Sequence, residues 1–148
     1  MRSLWVKVVI AVVVVGVVAG LGFFLFERHE RSGIAADANQ DCGTLDTPAA
    51  GVAVPAGLTL PPDQKLLRVQ TQGRTTVAFT STAGGRDDIV AVRDRVLDLL
   101  KGRGFKVTGT DQEPGYEAEA ELSGVVDGTL RVKPLCTGRL EIRYKIET

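Results

Sequence analysis

The side chains able to do chemistry are few and lie far apart along the chain. Glu117, Glu119 and Glu121 alternate with Ala118, Ala120 and Leu122. On a strand that alternation sets the carboxylates about 7 Å apart on one face, a stripe suited to a cation or a basic partner. Arg131, Lys133 and Arg143 alternate in the same way further on, so a solvated face of interleaved sign answers the pattern better. Gly84-Gly85 precedes a helical stretch and would cradle an anion, but Asp87 and Asp88 follow at once and repel one. Asp37-Ala38-Asn39-Gln40-Asp41 imitates the opening of a calcium loop. Its sixth position is Cys42 rather than glycine and its twelfth Pro48 rather than glutamate, so calcium is rejected. His29 is the only histidine, which leaves no triad or metal set. There is no Gly-x-Ser-x-Gly, no Walker sequence and no Cys–His pairing. No catalytic residue, metal ligand or cofactor is assigned, and the chain reads as a non-enzyme.

Two cysteines, Cys42 and Cys136, are too few for a disulfide framework and lack metal-site spacing. Outside the cytoplasm their natural fate is one disulfide, closing a loop of about ninety residues and contributing ~4 kcal/mol in the chain-entropy model. In a reducing compartment they would remain two thiols.

The compartment is therefore decided by the N-terminal stretch. From Val8 to Phe26 no side chain is charged or polar, and as helix that run spans roughly 28 Å, a bilayer's hydrocarbon thickness. Its valines favour strand in water, but lipid leaves a lone segment no choice except helix. A secretory core is shorter than this, and Glu27-Arg28-His29-Glu30-Arg31 follows where a cleavage site would stand. The stretch thus reads as a retained signal anchor. Arg2 and Lys7 ahead of the span favour a cytoplasmic N-terminus, against Arg28 and Arg31 behind it. Gly16 and Gly20 form a Gly-x-x-x-Gly step, which either lets two membrane helices approach as a homodimer or reflects how common glycine is in such helices.

Three regions follow: 1–26, tail and transmembrane helix; 27–57, a flexible juxtamembrane linker rich in Ala, Gly, Asp and Pro; and 58–148, an extracytoplasmic domain. The 148 residues carry 18 basic and 18 acidic side chains without a basic run, which excludes nucleic acid as a partner. The predicted domain is α+β, in the order ββαββββ: a mostly antiparallel sheet covered on one face by a single helix. Lys65–Gln72 and Thr75–Ser81 read as strands joined through Gly73, with Val77 and Phe79 inward. Asp87 or Asp88 caps a helix whose apolar side is Ile89, Val92, Val96, Leu99 and Leu100, with Arg93, Asp94, Asp98 and Lys101 opposite. Phe105–Asp111 is the third strand. A three-residue loop Val126-Asp127-Gly128, with Gly128 left-handed, sets Leu122 opposite Val132 and Glu121 opposite Lys133. The Cys136-Thr137-Gly138 loop likewise sets Val132 opposite Ile142 and Lys133 opposite Glu141. It also places Arg131 beside Arg143, against the charge rule for cross-strand pairs.

Leu60-Pro61-Pro62, the helix ending near Gly104-Phe105, the run Glu117 to Gly124, and Gly128-Thr129-Leu130-Arg131-Val132 followed by Cys136 together form a pattern. It resembles the extracytoplasmic domain of uncharacterised, membrane-anchored or secreted actinobacterial proteins. The resemblance implies a cell-envelope location and no functional residue. The leading expectation is a single-pass membrane protein whose non-catalytic domain binds a protein or cell-wall component. The alternatives are an assembly subunit recognised through Gly16 and Gly20, and an enzyme with an unrecognised site.

Overall fold

The computed structural model describes residues 39–48 and 50–147. The expected membrane helix, with Gly16 and Gly20, lies outside them. Among the described residues no helix is long and apolar enough to cross a membrane.

The described chain is a small α+β domain. Its strands are β1 (Lys65–Gln72), β2 (Thr75–Ala83), β3 (Lys106–Glu113), β4 (Glu117–Ser123), β5 (Asp127–Cys136) and β6 (Arg139–Glu147), with one helix, α1 (Ile89–Lys101), between β2 and β3. The sheet order is β1-β2-β6-β5-β4-β3, and every neighbouring pair is antiparallel. Four antiparallel steps separate β2 from β3, so these two run the same way. Strands that run alike cannot be joined by a hairpin; they need a crossover, and α1 supplies it.

Local chemistry sets the joints. Gly73, at φ 59°, takes the first place of a two-residue turn that sets Gln72 opposite Thr75. Asp88 stands at the start of α1, and its Oδ2 accepts the Gly85 N–H at 2.8 Å. That carboxylate thus already occupies the glycine pair. Gly102 closes α1, with its N–H on the Asp98 carbonyl at 3.1 Å.

The core lies between α1 and one face of the sheet. Ile89, Val92, Val96, Leu97 and Leu100 meet Ala118, Ala120, Leu122, Leu130, Val132, Ile142, Tyr144 and Ile146. The helix lies over β5, β4 and β3. Leu58 and the segment up to Gln64 fill the β2 side, where Gln64 Oε1 accepts from Thr80 Oγ1 at 2.9 Å and Tyr144 Oη at 2.8 Å.

Four expectations are corrected. Val77 and Phe79 do not face the core; Ala78, Thr80 and Thr82 do, opposite Tyr144, Ile142 and Leu140. The two threonines tolerate burial because Gln64 and Asp63 accept their protons. On α1, Leu99 is exposed and Leu97 buried. Arg93 lies in the buried stripe one turn after Ile89, and its Nη1 donates to the Asp111 carbonyl of edge strand β3 at 3.1 Å. The β4–β5 register also differs: Leu122 faces Gly128 and Glu121 faces Thr129. Gly124, at φ 118°, turns the chain instead, and Gly128 is needed inside β5, where any Cβ would strike the Lys145 carbonyl oxygen.

Candidate functional site

The sheet face away from α1 carries the charge. One row runs across all six strands: Arg68, Phe79, Arg143, Arg131, Glu119 and Asp111. Phe79 sits in the basic half, only 5% exposed, because two guanidiniums cover it. The Arg68 Cζ lies 3.8 Å from the ring centroid and the Arg143 Cζ 5.0 Å. Cations prefer that position over the negative face of an aromatic ring.

Glu141 lies beneath them, 3% exposed, near the start of β6. Three cations converge on it at 3.7–3.8 Å: Arg68 on Oε2, and Arg143 and Lys133 on Oε1. These spacings are too long for hydrogen bonds, and Glu141 Oε1 and Arg143 Nε are buried without a hydrogen-bond partner. The Lys133–Glu141 and Arg131–Arg143 neighbours are those expected from the loop at Cys136. The expected third member of that row, Glu121, is not there. Glu119 pairs with Arg131 instead, and Glu117 lies 3.3 Å from Arg131 Nη2.

Between these side chains the face is concave. Arg68, Phe79, Glu119, Arg131, Arg143 and Lys145, with Val77 and Thr129 among the rest of the lining, border a recess of about 470 Å³. A smaller one of about 230 Å³ lies over the acidic half, beside Gly109, Asp111, Glu119 and Glu121.

One rim is closed by the N-terminal segment. Cys42 and Cys136 stand at disulfide distance, 2.07 Å between sulfurs. Gln40 accepts the Thr137 N–H at 3.0 Å. Asp46 then reaches Ser81, Lys65 Nζ at 2.8 Å and Arg139. Burial pushes the Asp46 carboxyl up, but the hydrogen bonds from Lys65, Ser81 and Arg139 outweigh it and hold the group below the ordinary aspartate value. Within the span 27–57, residues 40–46 are thus fastened to the sheet.

Of the residues singled out in the sequence, the structure brings together Glu117, Glu119, Arg131, Lys133 and Arg143. His29 lies outside the described residues. Among the described residues no cluster of three or more His, Cys, Asp or Glu could hold a metal ion. Sequence reasoning missed Arg68, Phe79 and Asp46 as parts of this face. The signal for the first two was present: a two-residue turn at Gly73-Arg74 puts Arg68 across from Phe79. Asp46 had none, since its partners lie 19, 35 and 93 residues away.

The fold and this face define a class, the small α+β domain with a helix on one side of an antiparallel sheet and an open charged face on the other. Comparison with protein families, curated proteins and solved structures finds no match.

Proposed function

We propose that this chain is a single-pass membrane protein that presents its α+β domain outside the cytoplasm, where the open sheet face binds a protein or cell-envelope component. The observation that carries this reading is the recess itself: an aromatic floor, four cationic side chains around it, and a buried carboxylate holding two of them in place. Ligand sites combine apolar floor with a few fixed polar groups in this way. The apolar run Val8 to Phe26 supports the anchor. The Cys42–Cys136 pair supports an oxidising side of the membrane.

The test is capture of the full-length protein, in detergent, on isolated cell envelope. Wild type is retained, and R68Q/R143Q is not; equal retention of both sinks the use of this face. The side of the membrane is read separately, by labelling intact cells with an impermeant thiol reagent after gentle reduction. A second reading, assembly through the Gly16/Gly20 step, predicts that G16I/G20I releases a co-purifying partner which the arginine variant keeps.

A further inference from the structure

We infer that the recess over Phe79 is a phosphate-binding site, with Arg68 and Arg143 as its ligand-contacting groups and Glu141 as the residue that positions them. This rests on the binding role proposed above and names its chemistry.

The charges immediately around the recess floor do not balance. Arg68, Arg143 and Lys133 surround the single carboxylate of Glu141, which leaves two positive charges over. The remaining cations are satisfied. Arg131 is held by Glu119 and Glu117, and Lys145 Nζ by Glu147 at 2.8 Å. Excess charge therefore collects at the two guanidiniums that flank Phe79.

Those guanidiniums also have donors to spare. Each carries five N–H groups. Arg68 and Arg143 touch Glu141 only at 3.7 Å, and the Nε of Arg143 is buried with no acceptor. An unmet buried donor costs free energy until something accepts from it.

Finally, the pair stands at the ring before any ligand arrives. Phe79 packs against both guanidiniums and Glu141 attracts both, so part of the ordering cost of binding is met in advance. Two planar forks on either side of one ring suit a group with oxygens on several sides. A tetrahedral phosphate offers that, whereas a carboxylate offers two oxygens in one plane.

The experiment follows the Arg Nε–Hε resonances of the full-length chain in phosphatidylcholine nanodiscs during titration with inorganic phosphate, against sodium chloride at matched ionic strength. The Arg143 signal, identified by its loss in R143K, shifts saturably with phosphate and not with chloride. E141Q keeps the folded spectrum and weakens phosphate binding by about tenfold, because the guanidiniums' loss of position outweighs the positive charge gained. R143K, which keeps the charge but not the fork, weakens it as well. A phosphate response no larger than that of chloride overturns the inference, and E141Q binding phosphate as tightly as wild type, or more tightly, removes Glu141 from it. The source of the phosphate is read in two further arms. A shift induced by phosphatidylglycerol discs alone assigns a lipid headgroup, and one induced by soluble glycerol phosphate assigns a free or polymer-borne group. Phosphate binding without envelope capture defeats the function proposed above and leaves this site standing; envelope capture without phosphate binding does the reverse.

Discussion

Arg139 meets Asp46 across 93 residues of chain: Nη2 donates to Oδ1 at 3.1 Å, while Nε lies 3.1 Å from Oδ2 without a hydrogen bond. A charge-assisted hydrogen bond of this kind is short and stronger than a neutral one. Here it lays the N-terminal segment along the rim of the charged face, where Ser81 and Lys65 complete the contact. The carboxyl is held below its ordinary value, so its contribution to stability is complete above the unfolded value near pH 4 and fades as the pH falls through the folded value. D46N lowers stability at pH 7 by about 1–3 kcal/mol, since it leaves Arg139 half-satisfied. Thermal melts from pH 6 down to pH 2.5 check the sign. The gap between wild type and D46N narrows below pH 4, and a gap that stayed constant would remove Asp46 from the account.

The Cys42–Cys136 pair delivers Asp46 to that position, so the two features are coupled. Replacing both cysteines by serine costs about 2–4 kcal/mol through the enlarged freedom of the unfolded chain. Once the segment is no longer tethered, losing Asp46 costs less. A double-mutant cycle of C42S/C136S with D46N, read by urea midpoint, gives an interaction of about 0.5 kcal/mol or more. Strict additivity would mean that the ion pair forms without help from the cysteines.

What the sequence conveyed about strand pairing was parity. The expected loop paired Leu122 with Val132; the observed one pairs it with Gly128, four residues away. A shift by an even number leaves every side chain on its face, so Leu122, Leu130 and Val132 are in the core as the alternation requires. The partner of each charge, however, changes. Glu119 stands opposite Arg131, and Glu121, expected opposite Lys133, faces Thr129; no local pattern distinguishes the two registers. In β2 parity itself misled, because Phe79 is buried by guanidiniums instead of by the core. Its inward neighbours Thr80 and Thr82 look like surface residues until Asp63 and Gln64 arrive from the preceding segment. Burial by a charged side chain, and satisfaction by a distant one, leave no trace in a hydropathy pattern.

Gly128 lies directly against the backbone of β6. An added Cβ would overlap the Lys145 carbonyl oxygen, a backbone atom that cannot turn aside. G128A therefore separates two central strands and costs about 3 kcal/mol or more, within the range of overpacked sites. Gly138 provides the comparison, because it sits at φ 72° in open space, and G138A pays only the backbone strain of about 1 kcal/mol. Chemical denaturation of both variants gives the order. Equal losses would show that the close approach at Gly128 relaxes.

Tyr144 tests the buried side of the sheet. Burial pushes its phenol well above the ordinary value, with the Gln64 hydrogen bond opposing this and the charge of Asp63 adding to it. Because the folded value is raised, the neutral ring contributes fully below the unfolded value near pH 10, and that contribution is lost as the pH climbs above it. Absorbance at 295 nm therefore shows Tyr144 ionising together with loss of the fold. Y144F removes one donor from Gln64 Oε1, which keeps Thr80, and costs about 1 kcal/mol at neutral pH. In alkali the order reverses, since phenylalanine has no proton to lose. Y144F then outlasts wild type above pH 10, and a tyrosine that titrates freely in the intact domain would contradict the burial on which this rests.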